Sequence, residues 1–413
     1  MADTLYFSRD TKVFVEIGNN VWEIPVLDGF SFSQATNSSE ITLNEMADGS
    51  GNSRRGRRMF NDSYAPAEWS FSTYARPFAS AGSGSKAADN AAKHHAVEEV
   101  LWAMMAGADT YSAGAYTRTA NPAVVGGAVI TPAGSQNTIG FAESNRSTFT
   151  TANIYFVLGD ASRTVIKLKD AVVNEASIDF EIDGIATINW SGQCSEVLDF
   201  TGSTIEANAA GEPNNGDTTQ DGTALAAGDV WLQTDSTPKT HRLFVCKNSG
   251  AGNEAFTAYV NEAITDSDNF IRNRLTQLSI ANSNSLSSGG HNITLTGGSL
   301  TISNNLTYLT PETLGIINTP LGNVTGTRNV SGNLTCYLNT ETAGSADLFE
   351  DILESNNGTG TDLITNDFNL VLSIGGTAAP NVVITMPTCH LEIPTHSFDE
   401  IISTDVAFHA LPS

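Results

Sequence analysis

Short runs in which apolar and polar residues alternate recur along most of the chain, and this period of two is typical of β-strands with one buried face. Residues 12–17 and 21–26 are two such runs, and Gly18-Asn19-Asn20 between them predicts a hairpin turn. Further runs lie at residues 30–33, 41–43, 153–158, 164–168 and 177–190. The pattern therefore predicts a mainly β protein.

The run at residues 177–190 alternates most clearly. Asp179, Glu181 and Asp183 alternate with apolar residues, which predicts a solvated strand face opposite a buried one. We interpret these carboxylates as that solvated face rather than as a catalytic pair. Gly184 interrupts the run, and we predict a β-bulge there.

Two segments have a helical pattern instead. Residues 87–105 are rich in alanine and place Val97, Val100, Leu101, Met104 and Met105 on one side. Gly107 follows as the expected C-cap of this first helix. The second predicted helix, residues 345–353, begins with Ser345 as its N-cap and has acidic residues in its first turns.

The chain also repeats itself in order. The paired segments are residues 22–34 with 291–304, 69–74 with 332–337, and 155–158 with 370–373. One predicted helix lies between the second and third segments of each series. Because the order of the elements is kept, we predict two tandem β-sandwich or barrel-like domains, residues 1–205 and 269–413, each with a flanking helix.

Residues 206–268 differ in composition from the segments on either side. They open with turn-forming residues between Glu212 and Gly222, and then give two runs typical of strands, residues 229–234 and 241–246. A segment of this size buries little core. We therefore predict a small β insert or linker that projects outward.

Charge and composition narrow the range of functions. The chain has 45 acidic and 20 basic residues, a formal net charge of −25, whereas nucleic-acid binding gains its affinity from Lys and Arg on phosphates. Charged residues are only 16% of the chain, and Thr, Ser, Asn and Gly replace them. That balance is typical of a structural β protein. It is unusual for a helical enzyme.

No motif for catalysis, cofactor binding or a metal is evident. Cys194, Cys246, Cys336 and Cys389 lie far apart without the spacing of a zinc site, so we interpret them as buried residues. The sequence also has no signal peptide and no apolar run long enough for a membrane span. We therefore expect no cofactor, no metal, no enzymatic activity and no membrane partner, in a soluble chain made in the cytoplasm.

Histidines near one another are interpreted as structural. His94 and His95 are adjacent in the first predicted helix, where neighbouring side chains point about 100° apart and cannot easily share a metal. His390, His396 and His409 lie in predicted strands, where neighbouring residues face opposite sides.

One local charge cluster stands out. Arg54, Arg55, Arg57 and Arg58 lie in a loop flanked by Gly, Ser and Asn in this otherwise acidic chain. We predict that they form an inter-subunit clamp that docks on an acidic face of a neighbouring copy. The alternatives are a contact with passing DNA and a solvated loop without a partner.

These segments carry a resemblance to a known family. Residues 24–34 followed by 41–45 resemble the opening of the tail tube proteins of long-tailed bacteriophages. The likeness continues through residues 54–58, 69–78, 386–394 and 406–411. The resemblance implies a β-sandwich or barrel-like domain with one flanking helix, stacked in six-fold rings around a lumen for DNA.

A subunit with two such domains implies rings of three chains with pseudo-six-fold symmetry. The implied partners are further copies of the chain, tail terminator and baseplate or tip proteins, and tape measure protein and DNA that pass through an acidic lumen without specific binding. The implied location is the virion, assembled in the host cytoplasm, and an outward insert favours a tail without a contractile sheath. The alternatives are a fibre, baseplate or decoration protein whose insert binds a host glycan, and a β-sandwich glycosidase or esterase.

Overall fold

A computed structural model describes residues 5–41, 50, 58–79, 94–107, 110–112, 115–117, 129–131, 139–140, 149–159, 163–200, 204–207, 213–219, 222–234, 241–248, 254–259, 270–282, 290–310, 313–314, 318–357, 368–376, 381–398 and 401–411. This part of the chain is mainly β, with large antiparallel sheets and two α-helices, which confirms the predicted fold class.

We call residues 5–200 the N-terminal half. Its strands are β1 (Lys12–Ile17), β2 (Asn20–Ile24), β3 (Ser31–Ser33), β4 (Thr36–Ile41), β5 (Arg58–Tyr64), β6 (Ala67–Tyr74), β7 (Pro77–Ala79), β8 (His94–Ala96), β9 (Thr110–Ser112), β10 (Ala115–Thr117), β11 (Val129–Thr131), β12 (Ile139–Gly140), β13 (Ala152–Leu158), β14 (Thr164–Glu181), β15 (Thr187–Cys194) and β16 (Glu196–Asp199). Its helix is α1 (Glu99–Ala106).

The insert contains β17 (Thr204–Ala207), β18 (Val230–Thr234), β19 (His241–Val245) and β20 (Ala258–Tyr259). We call residues 270–411 the C-terminal half. Its strands are β21 (Gln277–Asn282), β22 (His291–Ile293), β23 (Leu295–Ser303), β24 (Thr307–Leu309), β25 (Gly322–Val324), β26 (Asn329–Tyr337), β27 (Phe368–Ile374), β28 (Val382–Leu391), β29 (Thr395–Phe398) and β30 (Ile402–Ala410). Its helix is α2 (Ser345–Asn357).

The two halves pair their strands in the same order. In the N-terminal half the antiparallel neighbours follow the order β2–β1–β13–β14–β15–β6–β3. In the C-terminal half they follow β22–β21–β27–β28–β30–β26–β23. Each pairing in one series therefore has a counterpart in the other, and each helix follows the counterpart strand, β6 or β26, in the chain.

A further strand pair joins the halves into one sheet. Residues 175–181 of β14 pair antiparallel with residues 297–303 of β23. In the C-terminal half, β30 pairs with β26 on one side and with β29 on the other. The result is a continuous eight-stranded antiparallel sheet in the order β3–β6–β15–β14–β23–β26–β30–β29.

Polar contacts at the end of α1 also hold the halves together. The Asn304 side chain donates to the Met105 carbonyl at 3.0 Å and accepts from Arg328 Nε at 2.9 Å. Arg328 also donates to the Met105 carbonyl at 3.4 Å. The last carbonyls of a helix lack intrahelical partners and carry partial negative charge. The C-terminal half therefore caps the helix of the N-terminal half.

Within the described residues the first helix is shorter than predicted, and residues 87–93 of the prediction lie outside them. It begins at Glu99, whereas His94–Ala96 form strand β8 opposite Pro77–Ala79, so the prediction of a helix over 94–98 was wrong. Strand pairing overrides the helix propensity of this segment. At the other end the C-cap prediction is confirmed, because Gly107 is left-handed (φ 81°) and donates to the Ala103 carbonyl at 3.0 Å.

The second helix begins at Ser345 as predicted and runs four residues beyond Leu353. Ser345 does not cap it in the predicted way. Its hydroxyl donates to the Tyr337 carbonyl and accepts from the Asn339 backbone N–H, both at 2.8 Å. The serine therefore fixes the approach from β26 to the helix.

The predicted β1–β2 hairpin is confirmed, with Gly18 at φ 57° in its turn. The predicted bulge at Gly184 was wrong. This glycine (φ 138°) lies in the turn that joins β14 to β15, and the register of that pair shifts instead between Val173 and Glu175. A glycine inside an alternating run is compatible with a bulge or with a turn. The two differ in whether the chain reverses its direction, which the alternation does not show.

The insert packs on one sheet of the N-terminal half. Its β18 and β19 share an apolar cluster with β1, β2, β13 and β14, formed by Phe14, Val21, Tyr155, Val157, Val165, Val230, Leu232, Leu243 and Val245. Beside the cluster the buried carboxylate of Glu16 forms an ion pair with Lys247 and accepts from the Tyr155 hydroxyl at 2.8 Å. The two predicted strands of the insert are confirmed as β18 and β19.

Candidate assembly surface

The eight-stranded sheet buries one face and exposes the other. In β6, for example, Trp69 and Phe71 are buried, while Ser70 and Ser72 lie on the opposite side. We call the exposed side the polar face. Its positions are Ser31, Ser33, Glu68, Ser70, Ser72, Tyr74, Glu175, Ser177, Asp179, Glu181, Thr187, Asn189, Ser191, Gln193, Gly297, Ser299, Thr301, Ser303, Ser331, Asn333, Thr335, Tyr337, Thr395, Ser397, Ser403, Asp405, Ala407 and His409.

The charge of the polar face has one sign. Its carboxylates are Glu68, Glu175, Asp179, Glu181 and Asp405, and none of its positions is Lys or Arg. Most of the other positions carry hydroxyl or amide side chains. Such a surface repels phosphates and offers them no cationic partner. The predicted solvated strand face at Asp179 and Glu181 is part of it.

Hydrogen bonds between neighbouring strands occupy many of these side chains. The hydroxyls of Ser31 and Ser70 lie 2.8 Å apart, and Ser72 donates to Asn189 at 2.7 Å. In the C-terminal half Ser299 donates to Asn333 at 2.6 Å, and Thr335 donates to Asp405 at 2.6 Å. The polar face therefore satisfies part of its own hydrogen bonding, which leaves fewer groups to hold a passing molecule.

Beneath the polar face, each half places an aromatic ring against a glycine at the same position of the sheet. Gly192 lies opposite Trp69 in the β15–β6 pair, and Gly332 lies opposite Phe408 in the β26–β30 pair. A Cβ on Gly192 would come within 2.5 Å of the Trp69 ring, and one on Gly332 within 2.6 Å of the Phe408 ring. The two halves therefore use the same packing with the partners exchanged between strands.

Both ends of this sheet are open within the described part of the chain. In the described part of the chain, β3 pairs with β6 and β29 pairs with β30. The residues Ser31, Ser33, Thr395 and Ser397 on these end strands are exposed. An open edge presents unpaired N–H and C=O groups and is a template for another strand. The fold thus offers two attachment points, one at each end of the polar face.

Two hairpins extend from equivalent places in the halves. Hairpin β4–β5 lies between β3 and β6, and hairpin β24–β25 lies between β23 and β26. They touch where the Tyr64 N–H donates to the Asn318 carbonyl at 2.9 Å. Both expose large apolar side chains, namely Met59, Phe60, Leu309, Leu321 and Val324.

The predicted arginine clamp belongs to the first hairpin. Arg58 is the first residue of β5 and pairs opposite Ile41. Arg54, Arg55 and Arg57 lie outside the described residues, as does the Arg58 side chain. The clamp therefore stays a prediction.

The four cysteines are buried, and two of the candidate histidines, His396 and His409, are paired within the chain. All four cysteines are buried, and desolvation raises the pKa of Cys194 to about 12 and that of Cys336 to about 11, which keeps these thiols protonated at neutral pH. His396 lies 3.1 Å from the Thr404 hydroxyl, and His409 lies 3.1 Å from the Glu392 carboxylate. Among the residues described, no group of three or more His, Cys, Asp or Glu could hold a metal.

Sequence reasoning missed one buried ionisable pair. His291 of β22 lies 2.6 Å from the Asp351 carboxylate of α2, and both side chains are buried. A histidine in a short alternating run gives no signal of a partner on a distant helix.

Within the described ranges, no helix is long and apolar enough to cross a membrane.

Comparison with known proteins finds a relative along nearly the whole chain. No protein-family model matches the chain. Tail tube protein pb6 of Escherichia phage T5 is 26% identical to it over 419 residues, which cover 99% of this chain and 73% of that protein. A match along nearly the whole chain includes both halves and the insert. The chain is therefore a homologue of a phage tail tube protein, which confirms the resemblance found in its sequence.

Proposed function

We propose that this chain is the structural subunit of a phage tail tube, in which three copies close their eight-stranded sheets into one barrel around a lumen. The observation that carries the proposal is the sheet itself, because it has an acidic polar face and an open edge at each end. Pairing of these edges between chains satisfies both of them, and a closed barrel has no edge left.

The number of chains follows from the duplicated pairing order if the ring has the six domains that the resemblance to tail tube proteins implies. We propose that residues 1–205 and 269–413 are two copies of one tube domain, with residues 206–268 as an insert. Two domains in each chain occupy two positions of a ring, so three chains fill a pseudo-six-fold ring. A head-to-tail interface that closes on itself produces such rings.

The polar face lines the lumen in this arrangement. DNA phosphates then meet carboxylates and hydroxyls rather than Lys or Arg, so passing DNA is repelled and not retained. At physiological salt the charges act over only about 8 Å, so those on the lumen wall dominate. Tape measure protein and DNA are the lumen partners, neither of them bound specifically.

We propose that the two hairpins stack the rings. Their exposed apolar side chains and the loop with Arg54, Arg55, Arg57 and Arg58 would contact the next ring, the arginines on one of its acidic surfaces. Terminator and baseplate or tip proteins would complete the tube at its two ends. The chain would then be located in the virion after assembly in the host cytoplasm, with a structural and not an enzymatic role.

Negative-stain electron microscopy of the purified protein tests the proposal. We expect hollow tubes or stacked rings with three-fold or pseudo-six-fold symmetry in end-on views. Single compact particles or isolated trimers that bind cell-wall glycans would contradict it, and would favour a fibre or decoration protein.

A further inference from the structure

We propose that strand β29 of one chain pairs antiparallel with strand β3 of the next, with Ser397 opposite Ser31 and Thr395 opposite Ser33. This inference rests on the proposed function, and it identifies the residues of the joint between subunits. The partner is a second copy of this chain. The argument comes from the joint between the two halves, which has the same geometry inside one chain.

The first step is the equivalence of β29 with the end of β14. In the N-terminal half one row across the sheet contains Tyr74, Thr187 and Asp179 on β6, β15 and β14. In the C-terminal half the corresponding row contains Tyr337, Ser403 and Ser397 on β26, β30 and β29. Ser397 therefore occupies the position of Asp179, and Thr395 that of Ser177, two residues earlier.

The second step is the equivalence of β3 with β23. Ser31 lies opposite Ser70, four residues before Tyr74. In the same way Ser299 lies opposite Asn333, four residues before Tyr337. Ser31 therefore occupies the position of Ser299, and Ser33 that of Thr301.

The third step transfers the observed register. In the joint between the halves, Asp179 lies opposite Ser299 and Ser177 lies opposite Thr301. Replacement of each residue by its equivalent places Ser397 opposite Ser31 and Thr395 opposite Ser33 of the next chain. Both end strands are open in the described part of the chain, so the transfer displaces no strand that is already paired.

The joint between chains differs chemically from the joint within a chain. The internal joint has seven residue pairs and includes the carboxylates of Glu175, Asp179 and Glu181. The external joint involves strands of three and four residues, and on the polar face it pairs hydroxyl side chains only. Pro394, which has no N–H, precedes β29 and limits the edge that another strand can use. The external joint is therefore the weaker of the two, and a ring would open there first.

Disulfide cross-linking tests the register. All four native cysteines are buried, so introduced cysteines report the joint. We expect oxidised Ser31→Cys/Ser397→Cys tubes to give covalent oligomers up to trimers on non-reducing gels. The out-of-register variant Ser33→Cys/Ser397→Cys should give about tenfold less product, because a disulfide needs Cα atoms within about 7 Å.

Two further variants serve as a control within one chain and as a second test of the register. Asp179→Cys/Ser299→Cys should form its disulfide within one chain and run as a monomer, which calibrates the geometry. Ser33→Cys/Thr395→Cys is a second in-register pair. Intact tubes that cross-link only out of register, or with neither in-register pair, would overturn this register and leave the proposed function standing. A native protein that forms no rings or tubes would instead overturn the proposed function.

Discussion

The aromatic ring of Phe180 lies over Gly298 where β14 meets β23. The two residues are directly opposite each other, and a Cβ on Gly298 would come within 2.7 Å of the Phe180 ring and 2.5 Å of the Asn333 carbonyl oxygen. Glycine is therefore required for the ring to lie this close to the neighbouring strand. This contact is the third aromatic–glycine pair of the sheet, and it lies at the joint between the halves.

Replacement of this glycine should weaken the joint. We expect Gly298→Ala to lower the free energy of unfolding by about 1–3 kcal/mol, because the added methyl group overpacks against the ring and the backbone. Gly322→Ala is the matched control, since its Cβ would meet nothing within 4 Å. Urea denaturation measures both. Equal stabilities for the two variants would contradict the packing role of Gly298.

Stability should depend on pH through Glu98. Burial raises the pKa of this carboxyl from 4.5 to about 8, and the charge of Glu99 adds to the shift. The folded state therefore keeps a proton that the unfolded state loses, so the free energy of unfolding should fall as the pH rises from 4.5 to 8.

Glu98→Gln should remove this part of the pH dependence. We expect the variant to melt at a higher temperature than the native protein at pH 9, and at about the same temperature near pH 5. Thermal denaturation across this range measures the difference. A native protein whose stability relative to the variant does not fall toward pH 9 would show that the carboxyl ionises without cost in the folded state.

The Glu16–Lys247 ion pair should hold the insert in place. Lys247→Met leaves the Glu16 carboxylate buried without its cation, and we expect a loss of about 3 kcal/mol together with faster proteolysis of the insert. Lys169→Met is the control, because its pair with Glu196 at 3.3 Å is more exposed and should contribute less than about 1 kcal/mol. Restored stability in Glu16→Gln/Lys247→Met would confirm that the loss comes from the unpaired charge.

In the proposed tube, a reversed charge on the polar face should make the lumen retain DNA. We expect tubes of Glu175→Lys/Asp179→Lys to bind short duplex DNA at low salt, with binding that disappears as salt is added. The control Glu341→Lys/Glu350→Lys changes the net charge equally at exposed positions outside the polar face. Equal DNA retention by both variants in a filter-binding assay would argue against this face as the lumen wall.

The four arginines should affect assembly and leave the fold intact. Replacement of Arg54, Arg55, Arg57 and Arg58 by Ser should reduce tube formation in sedimentation assays, while the melting temperature of the monomer stays the same. The corresponding Lys variant keeps the charge but not the planar fork of the guanidinium, so it should assemble only partly. Unchanged assembly of the Ser variant would exclude the clamp.

The sequence predicted what local patterns determine. Alternation gave the strands and the solvated positions Asp179 and Glu181, and Gly107 marked the end of α1. Local propensity failed at His94–Ala96, where pairing with β7 replaced the predicted helix.

Contacts between segments far apart in the chain could not be predicted from the sequence. The joint of residues 175–181 with residues 297–303 spans more than a hundred positions of the chain, and no local signal identifies it. Gly184 shows the same limit, because its neighbours do not reveal whether the chain bulges or turns back. The repeated order of segments predicted two similar units, but only the register of the strands shows which edges remain open.

The insert packs on Phe14 and Tyr155, and this position has a consequence for the outer surface of the proposed ring. The corresponding positions of the C-terminal half include Ser279 and Val371, and among the described residues no second insert lies on this more polar surface. In the proposed ring, decoration therefore occurs at alternate positions. A single gene that encodes both units lets one of them acquire an appendage while the other keeps a bare exterior, an asymmetry that six identical subunits could not produce.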